Sequence, residues 1–415
     1  MKSMVPNSPW ILIVLFCAAV NVLPALAQET APAAQPAKPA QQITDIKIGY
    51  LRAYAPQLAL SILDIPPPDE GIAGAKLGIS DNNTTGSFMK QKYELDIAEI
   101  KPDADAVAAF NELAAKGDKY ILIDLSTPQI LSIVDLARDK GILLFNIGNP
   151  DDSLREADCR PNLFHIAPTR SMLADALAQY LIWKQWPRWV LIYGSHPGDQ
   201  LFADALRRSA TRFGGNILAE QEFKDTGTAR RTDTGVVQIQ QQIPVFTQNL
   251  PDHDVMLVAD ESEVFGTYIP YRTWLPRVVA GTAGLMASSW HPASEQWGGA
   301  QLQSRFDKSA GRHMLSKDMN AWTAVRSVGE AATRTNSGDQ QKISDYLHSD
   351  KFEVAAFKGQ KLTFRPWNLQ LRQPIFLGDA KSVVSTSPQE GYLHQYSELD
   401  TLGVDQPETK CVFRK

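Results

Sequence analysis

Cysteine is scarce, with Cys17, Cys159 and Cys411 the only three in 415 residues, and none sits in a CxxC pair. Histidine is nearly as rare: seven residues are scattered along the chain. His291 and Glu295 lie at helical spacing, but two candidate ligands do not make a metal site. There is no GxSxG elbow, no P-loop, no HExxH and no GxGxxG after a strand, so the usual signatures of an enzyme are missing. A formal net charge of −5 leaves no basic footprint for nucleic acid. Beyond the first residues no long apolar run occurs, so the mature protein is not expected to cross a membrane.

What is present begins with a leader. Lys2 precedes the apolar run Trp10–Val20, and Ala25-Leu26-Ala27 has the small-x-small form of a cleavage site. Residues 1–27 therefore read as a signal peptide and the protein as exported, its mature chain starting at Gln28. Cys17 follows Phe16 rather than a small residue, which argues for a soluble protein over a lipoprotein. Residues 28–44 are rich in Ala, Pro and Gln and read as a linker. With the leader removed, Cys159 and Cys411 remain. The exported compartment permits a disulfide; one long-range bridge from the C-terminal tail to the first half of the chain, or two free thiols, both fit the spacing.

The folded part alternates short apolar runs with helical patterns. Ile46–Leu51, Lys76–Ile79, Tyr120–Leu125 and Ile142–Phe145 read as strands. A second set follows at Trp189–Tyr193, Asn216–Ala219, Val255–Ala259 and Val278–Ala280. Between them, Asp103, Thr127 and Thr169 stand where helices are capped, and Pro197 opens another. Two successive runs of four strands predict an α/β protein of two doubly wound, Rossmann-like lobes with parallel sheets. Residues 290–336 read as helix-rich, Leu362–Phe364 and Gln373–Leu377 as late strands, and 391–415 as an irregular tail. Tyr268, Tyr271 and Trp274, at i, i+3 and i+6, read as a core stripe.

Ligands of open parallel sheets bind beyond the carboxyl ends of the strands, so the turns that follow the strands are the candidate site. The first strand leads into Arg52-Ala53-Tyr54. Later strands lead into Ser126-Thr127-Pro128, Asn146-Ile147-Gly148-Asn149, Gly194-Ser195-His196-Pro197-Gly198-Asp199, Asp260-Glu261-Ser262-Glu263 and Gly281-Thr282. Two hydroxyls and free backbone N–H groups at Ser126-Thr127 suit a carboxylate or another anion. The acidic turn can hold a hard cation or load negative charge onto a helix start. Each of these residues can equally serve as a helix cap.

The leader, the order of elements and the turn Ser126-Thr127-Pro128 resemble type I periplasmic binding proteins of the leucine/isoleucine/valine class. A closer resemblance rests on Asp81-Asn82-Asn83-Thr84-Thr85-Gly86, Pro150–Arg155 with Asp158-Cys159-Arg160, Tyr271–Pro276, Phe364-Arg365-Pro366-Trp367 and Ser387–Gly391. These segments look like the ABC-transporter substrate-binding subunit associated with PQQ-dependent alcohol dehydrogenase systems. The resemblance implies two lobes joined by three crossovers near Ile166–Thr169, Ala287–Trp290 and Gln370–Pro374. Lobe 1 would take residues 45–167 and about 289–371, and lobe 2 residues 168–288 and about 372–390. It implies ligand contacts at Ser126, Thr127, Asn146, Gly148 and Asn149, answered by His196, Asp199, Asp260 and Glu261. Tyr54, Asn82 and Thr282 complete the candidate set. His196 and Pro197 stand where amino-acid binders of the class carry an aromatic, which argues against a branched-chain amino acid.

The expected function is that of a periplasmic, monomeric, non-catalytic solute-binding protein without a cofactor. It would close on a small ligand and deliver it to an inner-membrane permease and ATPase. An accessory or sensory protein that binds a metabolite, cofactor or metal chelate without delivering it would share these features.

Overall fold

Thr44–Ala53 forms the first strand, β1. It sends Ile46, Ile48 and Tyr50 into one core layer and Leu51 into another, the period-two alternation of a strand buried on both faces. The computed structural model describes residues 43–55, 65–225 and 238–413. The expected signal peptide and nearly all of the expected linker lie outside these residues.

The first sheet continues through α1 (Ile72–Met89), β2 (Gln91–Ile100), α2 (Ala106–Lys116), β3 (Tyr120–Asp124), α3 (Thr127–Asp139), β4 (Leu143–Asn146) and β5 (Leu163–His165). Its order is β2-β1-β3-β4-β5, all parallel. Lys76–Ile79, read from the sequence as a strand, lies inside α1. The glycines that weaken its helical signal are there for close packing. A Cβ on Gly74 would stand 1.9 Å from the Asp318 carbonyl oxygen, and one on Gly78 would stand 2.9 Å from Val325 Cβ. Tertiary contact overrides helix propensity here. The strand in question is instead β2, whose Tyr93, Leu95 and Ile97 alternate along Gln91–Ile100. Two helix caps also shift: Asp105 rather than Asp103 accepts the Val107 N–H at the start of α2, and Ser126 rather than Thr127 is the N-cap of α3.

The second sheet is built by α4 (Arg170–Trp183), β6 (Arg188–Gly194), α5 (Pro197–Phe213), β7 (Asn216–Phe223), α6 (Ile239–Phe246), β8 (Val255–Ala259), α7 (Ile269–Arg272), β9 (Val278–Gly281) and β10 (Leu285–Ser288). The chain then returns to the first lobe as α8 (Gly299–Ala310), α9 (Ser316–Thr335), α10 (Gln340–His348) and the hairpin β11 (Val354–Ala355) and β12 (Lys361–Leu362). It ends in the second sheet with β13 (Ile375–Gly378) and β14 (Val383–Ser387). The order there is β14-β13-β10-β9-β8-β6-β7, parallel from β7 to β10 and antiparallel at β13 and β14. Five and seven strands thus replace the expected four and four. The tyrosine stripe is also not a core stripe. α7 has only four residues, and Tyr271 is 87% exposed and Trp274 55% exposed, because the spacing buries side chains only on a longer helix.

Each sheet carries apolar layers on both faces. In the first lobe α2 and α3 cover one face and α1, α8, α9 and α10 the other; in the second, α4 and α5 oppose α6 and α7. The chain passes between lobes after β5, after β10 and before β13. The first and third of these passages are hydrogen-bonded to each other. Gln370 Nε2 donates to the carbonyls of His165 and Ala167 at 3.2 and 3.1 Å, Gln373 Nε2 donates to Ile166 O at 2.6 Å, and the buried Arg155 donates to Gln370 Oε1 and Ala167 O.

Residues 399–411 form a strap on this region. Leu402 enters the second-lobe core, and the Gly403 N–H donates to Asp175 of α4 at 2.8 Å. Asp400 accepts from Arg365 and Arg372 beside the first lobe. Cys411 is disulfide-bonded to Cys159, with Cα atoms 5.7 Å apart at a sequence separation of 252. Among the described residues no helix is long and apolar enough to cross a membrane.

Candidate functional site

In the first sheet the strand order reverses between β1 and β3, and a crevice opens beyond their carboxyl ends, where open α/β sheets bind ligands. The crevice is a cavity of about 880 Å³. Its floor is Arg52-Ala53-Tyr54 and Asp124. The starts of α1 and α9 supply Glu70, Leu315 and Lys317, while Arg312 stands before α9. Ile65, Pro66, Pro67 and Pro102 form an apolar wall, and Glu263 reaches it from the second lobe.

Its charged groups are tied together. Lys317 Nζ lies 2.9 Å from Asp124 Oδ2 and 3.8 Å from Glu70 Oε2. Burial alone would lower the Lys317 pKa, but Asp124 and Glu70 outweigh it and hold it above its ordinary value. Burial raises the Glu70 carboxyl, with Asp318 and Asp124 adding to the rise and Lys317 opposing it. Arg312 donates to both oxygens of Asp318, at 2.7 and 3.0 Å, and to Asp69 at 2.9 Å. Asp318 is fully buried and also accepts the Gly71 N–H, so it fastens the start of α1 to the start of α9. Arg52 is held by Glu99 at 2.9 Å and lies over the Tyr54 ring at 4.3 Å.

Of the residues expected from sequence, Tyr54 lines this cavity. Gly148 borders it indirectly: a Cβ there would fall 2.1 Å from Asp124 Oδ1, so glycine makes room for that carboxylate. The others are placed nearby or elsewhere. Ser126 N–H and Oγ bond Gln129 in the cap of α3. Asn146 Oδ1 accepts the N–H groups of Gly148 and Asn149, and Asn149 Nδ2 bonds Leu125 O and Thr127 Oγ1. Thr127 in turn donates to Asp151. Asn82 is buried between α1 and α9, donating to Val325 O at 2.8 Å and accepting from Arg326; it is not among the residues that line the cavity.

The second lobe has its own reversal, between β6 and β8, and the remaining candidates sit there. Asp199 is fully buried and accepts the Ser262 N–H at 2.9 Å and its hydroxyl at 2.7 Å, which locks the turn after β8 to the start of α5. Asp260 accepts the N–H groups of Val264, Phe265 and Gly266, and Thr282 Oγ1 accepts the Asp260 N–H at 3.0 Å. His196 Nε2 contacts Asp225 at 2.9 Å. Glu261 pairs with Arg170 of α4 at 2.7 Å, and Arg170 also bonds Asp151 of the first lobe. That arginine joins the lobes. Asp260→Ala would leave three backbone donors unpaired and is expected to cost about 2 kcal/mol of stability, read as a lower urea midpoint.

Sequence reasoning missed Glu70, Asp124, Arg312 and Lys317. Asp124 had a signal, a carboxylate closing an otherwise apolar strand. The other three arrive from helix starts distant in sequence. Among the described residues no group of three or more His, Cys, Asp or Glu is placed to hold a metal ion.

Comparison with known proteins bears on the fold. Residues 69–253 match a family described as periplasmic binding protein. A branched-chain amino acid ABC transporter periplasmic ligand-binding protein from Burkholderia xenovorans superposes with a TM-score of 0.69 at 17% identity, covering 89% of this chain and 100% of that one. The fold is that of the type I periplasmic binding proteins. The leucine-, isoleucine-, valine-, threonine- and alanine-binding protein of Brucella ovis, in its closed conformation, shares it with a TM-score of 0.65 at 13% identity, over 89% and 99% of the two chains. So does a Rhodopseudomonas palustris ABC-transporter solute-binding protein in complex with benzoate, with a TM-score of 0.63 at 11% identity, over 88% and 99%. No curated protein matches the sequence. In this type I periplasmic binding fold the cavity at the first-lobe reversal is reached by Glu263 of the second lobe, and three passages of chain join the lobes.

Proposed function

We propose that the protein is the periplasmic solute-binding component of an ABC-type transport system. It binds a small molecule in the cleft, and its closed form presents the ligand to an inner-membrane permease and its ATPase. The observation that carries this reading is the cavity of about 880 Å³ at the sheet reversal of lobe 1, reached by Glu263 of lobe 2. A ligand seated there touches both lobes and so favours the state in which they approach. The charged groups of the cavity are tied to one another rather than arranged as a nucleophile with its base, which supports binding rather than bond-making. The motifs around Asn82, Cys159, Trp274 and Trp367 support a link to PQQ-dependent alcohol oxidation.

The test is a thermal-shift screen of purified protein against amino acids, organic acids, amines, alcohols, the quinone cofactor, and calcium or lanthanide ions. A ligand at 100 times its dissociation constant adds about 2.7 kcal/mol to stability, a clear rise in Tm. Small-angle scattering should then show a smaller radius of gyration with that ligand. No shift and no compaction with any member of the panel would overturn the reading.

A further inference from the structure

We propose that the cleft ligand is a small organic cation, a protonated aliphatic amine; this rests on the solute-binding reading above. The inference comes from the charge inventory of the cavity. Every basic side chain that lines it is already hydrogen-bonded to a carboxylate. Arg52 is held by Glu99. Arg312 is shared by Asp318 and Asp69. Lys317 is shared by Asp124 and Glu70, and His313 contacts Asp307. Two of the three permanent cations thus face two carboxylates each.

An anionic ligand would have to compete with a carboxylate for each cation it contacted, and would still lie against the carboxylates already in place. A cation meets the opposite situation. Glu70 has its lysine partner only at 3.8 Å, and burial beside Asp318 and Asp124 already raises its proton affinity. A ligand ammonium placed between Glu70 and Asp124 would relieve that crowding. Ile65, Pro66, Pro67, Pro102 and Leu315 give its carbon chain an apolar surface.

Lys317 then occupies the place of the ligand's own charge. It competes with that charge for Asp124 and must move aside, or share Asp124, when an amine enters. Removing it should therefore tighten amine binding, whereas for an anionic ligand the same change would remove an attractive charge.

The experiment is titration calorimetry at low salt with butane-1,4-diamine and 4-aminobutan-1-ol against butanedioate and butanoate, on the wild type, Lys317→Gln and Glu70→Gln, with circular dichroism confirming each fold. The expected result is binding of the amines only, tightened about fivefold in Lys317→Gln and weakened about tenfold or more in Glu70→Gln. Binding of the carboxylates instead, weakened in Lys317→Gln, would overturn the cation assignment. So would silence from both amines in a protein that compacts with a neutral or anionic member of the screening panel; the solute-binding reading would then stand without it. If no member of that panel compacts the protein, both fall together. Should Glu70→Gln fail to fold, Lys317→Gln alone separates the two signs, because amine affinity rises in one case and falls or is absent in the other.

Discussion

Asp400→Ala is expected to be among the most damaging single substitutions in the chain, lowering stability by about 3 kcal/mol. The Arg365 guanidinium is 1% exposed and donates to Asp400 Oδ1 at 2.9 Å; Arg372 donates to the same oxygen at 2.8 Å. Removing the carboxylate leaves a buried guanidinium without its counter-charge, and breaking one side of a buried pair costs about 3–5 kcal/mol. The carbonyls of Leu399, Leu402 and Val404 still accept from Arg365, which places the loss at the lower end. Those carbonyls belong to the strap, so its docking should loosen with the pair. Leu402 would leave the second-lobe core, and the contacts of Gly403 with Asp175, Arg208 and Arg212 would weaken. Urea unfolding should show the lower midpoint, and limited proteolysis should cut the tail first. Arg365→Met combined with Asp400→Leu should recover much of the loss, since an apolar pair of similar volume needs no counter-charge. A midpoint unchanged in Asp400→Ala would mean that the pair and the strap contribute little.

The fold was legible where burial makes the sequence monotonous. Val255–Ala259 is apolar throughout, lies in the middle of a sheet and was read with its observed ends. β2 was not recognised, although Tyr93, Leu95 and Ile97 alternate, because polar residues fill the other positions and the more apolar Lys76–Ile79 drew the assignment. What distinguishes that segment is Gly74 and Gly78 pressed against α9, a contact made across more than 240 residues of sequence and invisible to any local pattern. Caps were legible to within a residue or two, since Asp103 and Asp105, or Ser126 and Thr127, offer the same oxygen to the same kind of helix start.

The site was legible as a location more than as a set of side chains. The turns after the strands do lie at the two sheet reversals, but their Asn, Asp, Ser and Thr side chains spend their hydrogen bonds on the turns themselves. Asp199, Asp260 and Asn146 are clear examples. The groups left to line the cavity come from the ends of β1 and β3 and from the starts of α1 and α9. Glu70 and Lys317 meet only because Asp318 joins those helix starts through the Gly71 N–H. No spacing rule connects residues so far apart in sequence.

Lys358→Met is expected to stabilise the protein, and more so as the pH falls. Lys358 is 2% exposed. Its ammonium donates to Gln373 Oε1 at 2.6 Å and lies 6.0 Å from the Phe376 ring centre; among the described residues no carboxylate forms an ion pair with it. Burial pushes its pKa down to about 7, against about 10.4 in an unfolded chain. Folding therefore expels a proton between these two values. Above about pH 10.4 the lysine is neutral in both states and carries no penalty. As the pH falls toward 7 the unfolded chain gains a proton that the native state refuses, and stability drops. Below pH 7 the penalty is complete, at about 5 kcal/mol. Methionine fills the same space without a charge and loses only the bond to Gln373, worth about 1 kcal/mol. The net gain should be about 4 kcal/mol at pH 6, shrink at pH 9 and vanish or reverse near pH 10.5. Urea midpoints of both proteins across that range would show it, and a gain independent of pH would place the lysine's titration elsewhere. Gln373 also bonds Ile166 O, in another of the passages between lobes. The wild-type lysine thus lowers stability where the chain passes between the lobes, and under the proposed closure a substitution that restores it should stiffen those segments.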